Sequence, residues 1–332
     1  MKYIYLTLLI IIYYYLYSKL SYEKYDINKI IKTKIIYICY HTTNWELDYI
    51  KYDICKNMDT IYIDDIAKID NTFLTNNYNL INNNILIFSS NEVEYNDINN
   101  IVNKLNPLII IHLSDEVGNK KEYDTLANKT QLLLREYNHF GYDNYNNIYQ
   151  IPLGYMQKML SNTNNLSSIN RNDIKSINDR KYIWSFIGNI KQDRLELINL
   201  FKNNFKSYFC DRTDPQNMFN IYNNSIFVPN GRGNVTLDCL RLYEASLSGA
   251  IPIVVGDMDE INITFNYNNN LPPFIYEKSW SDAIIKCNYL LNNKNELINK
   301  QTQIILWWNN IIKDIQKKIQ NIINYHLQNH YL

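Results

Sequence analysis

The feature that most constrains what this 332-residue chain can fold into is a rhythm of short, nearly unbroken apolar runs, each ending in a polar cluster and separated by a stretch of helical length. The runs read KIIYICY (34–40), TIYIDD (60–65), ILIFSS (85–90), PLIIIHLSDE (107–116) and IYQIPLG (148–154). After a break come YIWSFIGN (182–189), SYFC (207–210), SIFVPN (225–230), IPIVVG (251–256) and PFIYE (273–277). A strand with one wet face alternates apolar and polar residues; a strand covered on both faces has no such need, so unbroken runs predict parallel strands sandwiched by helices. In open parallel sheets the crevice lies outside the carboxyl ends of the strands, so those ends are where functional side chains belong.

The break, from Met156 to Asp179, has neither apolar periodicity nor glycine and reads as a linker. The pattern predicts an α/β chain with two Rossmann-like domains facing a cleft: a hydrophobic segment at 1–20, a linker at 21–33, a first domain at 34–160, a linker at 161–180, a second domain at 181–300 and closing helices at 301–332. The helices follow from the spacing of Ile304, Trp307, Trp308, Ile311, Ile312 and Ile315. Two domains is also what this length allows.

Composition excludes more than it asserts. Thirty-three basic and 33 acidic residues cancel, so no overall positive field points to nucleic acid. Five scattered cysteines, odd in number and without CxxC spacing, imply neither a disulfide framework nor a zinc site. The 30 tyrosines and the asparagine runs follow a coding bias, which lowers the weight of any single Asn or Tyr. At the N-terminus, YIYLTLLIIIYYYLY (Tyr3 to Tyr17) carries no charge, spans as a helix of 15 to 18 residues roughly 23 to 27 Å, and is followed by no small-residue cleavage site. It predicts an uncleaved single-pass membrane anchor; Lys2 and Lys19 flank it evenly and leave its orientation open.

Four of the eight glycines fall within GRGNVTLDCLRLYEASLSGAIPIVVG (231–256). The expected unit is strand, glycine-rich loop, helix from Thr236 to Ser248, tight turn at Gly249 and strand, with Thr236 as N-cap and Pro252 barring helical continuation. At 100° per residue Leu237, Leu240, Tyr243 and Leu247 form the buried stripe, Glu244 sits on its rim, and Arg241 lies about 60° further toward the polar side. A helix start behind a glycine loop attracts anions, and Arg232 and Arg241 supply the bidentate cations that phosphates favour. A carboxylate two turns into the helix repels phosphate and suits sugar hydroxyls, so the stretch reads as a site for a sugar-linked pyrophosphate. The blander alternative, an exposed Arg241/Glu244 pair worth ~0.2 to 0.5 kcal/mol, leaves Arg232 and the tight loop without purpose. The dinucleotide fingerprint G-x-G-x-x-G fails at Thr236 and occurs in the wrong half, which demotes an NAD-dependent oxidoreductase.

The run FVPNGRGNVTLDCLRLYEASLSGAIPIVV resembles the C-terminal signature of exostosin-like glycosyltransferases, in which Phe-x-Pro-x-Gly leads to Arg, then Glu-Ala, then small-Gly-x-Ile-Pro-x-Val. NLPPFIYEKSWSDAI is similar to that family's Pro-Phe segment. WSFIGNIKQDR, IIIHLSDE, LLLREY and IPLGY are closer to the ribitol xylosyltransferase-like branch and its viral or microbial relatives. The resemblance covers about residues 105 to 285; Ala250 stands where exostosins commonly carry Cys. It implies the GT-B architecture and an inverting transfer of sugar from a UDP-sugar donor to a hydroxyl of a glycan or glycoconjugate. It also implies no cofactor, no required divalent metal and a secretory-pathway, Golgi-like or viral setting. On it, Arg194, Gly188 and Asn189 join Arg232, Gly233, Arg241 and Glu244 around the donor.

Transfer to a hydroxyl needs one general base, expected across the cleft in the first domain. Asp115 and Glu116 end an apolar strand, and His41 follows another; one of the three suffices. The adjacent carboxylates are preferred, because each raises the other's pKa. Arg135, after LLL, is placed to hold an acidic group or that pair. Two rivals complete the set: a GT-A enzyme holding a metal through Asp257 and Asp259, and a sugar-binding protein that kept the fold without the chemistry.

Overall fold

In the computed structural model, residues 33–38, 45–56, 58–117, 121–138, 145–161, 173–191, 194–267 and 270–330 are described. Both sets of apolar runs form parallel sheets. The first holds six strands: β1 (Lys34–Ile38), β2 (Thr60–Ile63), β3 (Asn84–Ser89), β4 (Ile109–Leu113), β5 (Leu132–Arg135) and β6 (Ile148–Gln150), in the order β2-β1-β3-β4-β5-β6. The second holds β7 (Tyr182–Ile187), β8 (Tyr208–Asp211), β9 (Ser225–Asn230), β10 (Ile251–Val255) and β11 (Ile275–Glu277), in the order β11-β10-β9-β7-β8. Strands β3, β4 and β5 are buried at every residue, as the unbroken runs require. β5 was not among the predicted strands: LLLR is too short to separate from an ordinary apolar run by periodicity.

Helices cover the sheets by the expected spacing. α1 (Tyr95–Leu105) buries Ile98, Ile101, Val102 and Leu105, one face of a 3.6-residue period, and ends at Asn106 in the left-handed conformation. α2 (Arg194–Asn204) buries Leu197, Ile198 and Phe201. The second sheet is further covered by α3 (Pro215–Asn223), α4 (Leu240–Leu247), α5 (Met258–Thr264) and α6 (Trp280–Asn292).

The closing segment is one helix, α7 (Lys294–His330), 37 residues and therefore about 55 Å long. It buries Ile304, Trp308, Ile311, Ile312, Ile315, Ile319 and Ile323 in a core cluster that also holds Ile85 and Ile111 of the first sheet and Leu242 and Val254 of the second half. Gln316 Nε2 donates to the Asp53 carbonyl at 2.6 Å, and His326 Nε2 lies 3.1 Å from Asn83 Oδ1, so α7 ties the two domains together. The end of the expected linker is also packed: Ile177 is buried, and the Arg180 guanidinium donates to the carbonyls of Lys175, Tyr222, Ser225 and Ser248. The anchor at Tyr3 to Tyr17 lies outside the described residues; among those described, no helix is long and apolar enough to cross a membrane.

Candidate functional site

In the second sheet the chain leaves β7 toward β8 on one side and returns to β9 on the other. Such a switch point opens a crevice at the strand carboxyl ends. Arg241 fills it from the first turn of α4. Its Nε donates to the Ile187 carbonyl at the end of β7 (3.0 Å), its Nη1 to Asn230 Oδ1 at the end of β9 (2.9 Å), and its plane lies over the Phe186 ring, 4.4 Å from the centroid. Gly188, at φ 144°, passes directly beside it: a Cβ there would come within 2.7 Å of Arg241 Nη2. The cation is thus fixed by backbone and stacking at the edge of the crevice.

α4 starts three residues later than the sequence suggested. Its N-cap is Cys239, not Thr236, and no side chain caps it. The Thr236 hydroxyl accepts instead from the Asp238 N–H, and Asp238 Oδ1 accepts from the Cys239 N–H and the Tyr243 hydroxyl. These local bonds offer the backbone an alternative to the helix. Gly233 closes the loop by donating to the Thr236 carbonyl at 2.9 Å, and Gly249 ends the helix at φ 66° as expected.

Glu244 is not on a rim. It is 2% exposed, and its Oε1 accepts the Met156 N–H (3.2 Å) from the segment after β6. Burial pushes its pKa up to about 7, against the opposing pull of that N–H and of Arg241. Arg194 is also buried rather than solvated: Nη1 donates to the Asn189 carbonyl (3.0 Å) and Nη2 to the Arg232 carbonyl (2.5 Å), pinning the FIGN loop to the glycine loop. Gly188, Asn189, Arg194, Gly233, Arg241 and Glu244 all border one cleft of about 540 Å³ between the domains. That lies within the roughly 300 to 1,000 Å³ of small-molecule sites.

Two expectations fail on geometry. Arg232 turns out of the cleft into a bidentate pair with Glu260 (2.5 and 2.9 Å), about a third exposed, and does not line the cleft with the other donor-site candidates. Asp115 turns inward: it pairs at 2.6 Å with Arg135, which is 0% exposed and also bonded to Asp124. Arg135 does hold an acidic group, but the Asp115/Glu116 pair is split. Ser114, at φ 66°, lets the chain turn so that Asp115 faces the core while Glu116 reaches the cleft. Glu116 accepts from the backbone N–H groups of Asn234 and Val235 and from the Asn234 side chain across the cleft (2.8 Å). His41 lies outside the described residues.

The structure adds groups that the sequence did not single out. Glu46, in the turn after β1, lines the first-domain wall; burial raises its pKa to about 7, and Glu92 pushes the same way. Behind it Glu136 accepts the Ser114 N–H (2.9 Å) and is held well above the usual carboxylate range by burial and then by the Glu46 charge. On the other wall Lys191 and Arg212 join Arg194 and Arg241, and the buried Asp238 is raised to about 7 by burial. The strand-end rule that pointed to His41 covers Glu46 and, after β8, Arg212 as well. Asp257, of the rival metal pair, caps α5 by accepting the Asp259 N–H at 2.8 Å. Among the described residues no cluster of His, Cys, Asp and Glu could hold a metal ion.

Two parallel α/β domains facing a cleft, with a closing helix shared between them, constitute the GT-B fold. No protein-family model matches the sequence, and no curated protein matches it. Among solved structures the chain is similar to an α-glucosyltransferase in complex with UDP and a 13-mer DNA containing an HMU base, at a TM-score of 0.52 and 10% identity, over 88% of this chain and 100% of that one. It is also similar to Anabaena Alr3699/HepE in complex with UDP and glucose (TM-score 0.49, 8% identity, 88% and 100% covered). A DNA-modifying β-glucosyltransferase follows at TM-score 0.45 and 13% identity, with 87% and 99% covered.

Proposed function

We propose that the protein is a glycosyltransferase that moves a sugar, with inversion, from a UDP-sugar to an acceptor hydroxyl. The observation that carries this reading is Arg241, bound at once to the ends of β7 and β9 with Lys191, Arg194 and Arg212 on the same wall and a buried carboxylate, Glu46, on the wall opposite. The four cations receive the pyrophosphate, and Glu244 accepts hydroxyls of the ribose or sugar. As the acceptor oxygen attacks the anomeric carbon, its proton passes to Glu46. The bond from that carbon to the phosphate oxygen breaks, and the electron pair stays on the departing UDP, where the cations stabilise it. Glu46 replaces Asp115 in this role, and a base with a pKa of about 7 serves near neutral pH.

Four side-chain cations on the donor wall make a divalent metal unnecessary on this reading, so turnover is expected to persist in EDTA. The exostosin-like signature and a membrane anchor at Tyr3 to Tyr17 belong to the same proposal. The UDP and DNA of the first neighbour leave two acceptor classes open, glycan and DNA. Calorimetry with UDP tests the donor site. Unchanged affinity in the double variant Arg241→Ala/Glu244→Ala would sink the assignment, and UDP binding without release from any donor sugar would leave a binding protein.

A further inference from the structure

The two walls of the cleft differ in charge. Every basic side chain among its described lining residues, Lys191, Arg194, Arg212 and Arg241, comes from the second domain. Among the described residues the first-domain wall presents Trp45, Glu46, Asn91, Ser114, Glu116 and Tyr137, with two carboxylates and no lysine or arginine. Trp45 is 57% exposed, a large indole left open at the mouth of the site. Directly behind the wall Glu136 is kept protonated by burial and adds no positive charge, while Arg135, the nearest cation along the chain, is engaged by Asp115 and Asp124.

We infer that the acceptor is an uncharged saccharide, its ring stacked on Trp45 and its hydroxyls donating to the carboxylates of the first-domain wall. The inference rests on the glycosyltransferase reading and narrows its acceptor. A nucleic acid carries one charge per about 1.7 Å of duplex and is held by lysine and arginine contacts that release its counterions. Two carboxylates with no described cation beside them give such a chain nothing to bind and disfavour a sulfated or uronic glycan alike. A neutral sugar has what this wall accepts: a C–H face for an aromatic ring and hydroxyl donors for carboxylate oxygens.

The test incubates the full chain, with and without saturating UDP, on an array of neutral oligosaccharides, sulfated and uronic oligosaccharides, and single- and double-stranded DNA. The expected result is retention of at least one neutral oligosaccharide, unchanged between about 50 and about 300 mM salt, with DNA and anionic glycans washed off over that range. Trp45→Ala is expected to cut the retention about tenfold or more and Trp45→Phe to restore most of it, both with UDP affinity unchanged. Preferential retention of DNA or of an anionic glycan overturns the inference, and so does retention of no neutral glycan. A chain that binds no UDP but still retains neutral glycans removes the donor reading and leaves the acceptor wall as assigned.

Discussion

The two carboxyl-end regions that meet in the cleft are built in opposite ways. In the second domain one loop and one helix, 231 to 247, deliver the cation and the carboxylate together, and the Ile187 carbonyl at the end of β7 and the Asn230 side chain at the end of β9 lock Arg241 in place. In the first domain Glu46, Glu116 and Glu136 come from the turns after three different strands, and burial rather than a partner sets the protonation of Glu46 and Glu136. Fixed charge is therefore paired with titratable charge across the cleft. The arginines of the donor side stay charged at any working pH, whereas Glu244 and Asp238 beside them and Glu46 across the cleft are poised near neutrality.

The largest effects separate Glu46 from Asp115, two carboxylates of the same domain with opposite tasks. Glu46→Gln is expected to lower kcat by about 10²- to 10⁴-fold with UDP affinity intact. Asp115→Asn leaves Arg135 buried with half its ion-pair support, and removing a partner from such a pair costs about 3 to 5 kcal/mol. Chemical denaturation should show that loss, while the protein that remains folded keeps its specific activity. A fully stable Asp115→Asn protein without turnover would return the base to Asp115 and break the distinction.

On the donor wall Arg241→Ala removes a cation held by 3.0 and 2.9 Å bonds. UDP affinity should fall by about 10- to 100-fold, the equivalent of roughly 1.5 to 3 kcal/mol for a charged hydrogen bond. Calorimetry measures it, and a loss below about threefold would show that Arg241 is only structural.

The pH dependence tests the titratable carboxyls of both walls, and stability and activity should move in opposite directions. Burial raises Glu46 and Glu244 to about 7 from an ordinary 4.5, and Asp238 to about 7 from 3.8. Between the two values the folded chain holds protons that the unfolded chain has released. The stability these groups contribute is therefore complete below about pH 4 and is lost as pH rises through 7, on the order of 3 to 4 kcal/mol for each. Denaturant midpoints should fall from pH 5.5 to pH 8, with a shallower fall in Glu244→Gln. Turnover requires ionised Glu46, so kcat/KM should rise over the same window. An acid limb near pH 4.5 would mean that Glu46 is ordinary or is not the base.

The second domain was legible because its site is contiguous. Gly188, Asn189, Arg194, Gly233, Arg241 and Glu244 sit in two short segments whose glycines and arginines stand out against a composition rich in Asn and Tyr. The first domain was legible as a fold, since unbroken apolar runs need only local pattern, but not as a site. Whether Asp115 or Glu116 enters the cleft depends on Ser114 at φ 66° and on Arg135 at the end of β5, the strand that periodicity did not resolve. Glu46 carries no signal except its place after β1, because its raised pKa comes from neighbours distant in sequence.

The smallest expected effect is the sharpest on this point. Arg232 and Arg241 flank the same loop and look equivalent in sequence, yet Arg232 spends its guanidinium on Glu260 in a surface pair about a third exposed, where such bridges contribute about 0 to 1 kcal/mol. Arg232→Ala should therefore change UDP affinity by less than about threefold and stability by less than about 1 kcal/mol, because the contact it makes toward the cleft is its carbonyl, bonded to Arg194, which the substitution keeps. If Arg232→Ala instead weakened UDP as much as Arg241→Ala, the arginine would have to leave Glu260 when the donor binds, and Glu260→Gln would then strengthen UDP binding. Two titrations decide which arginine the donor meets.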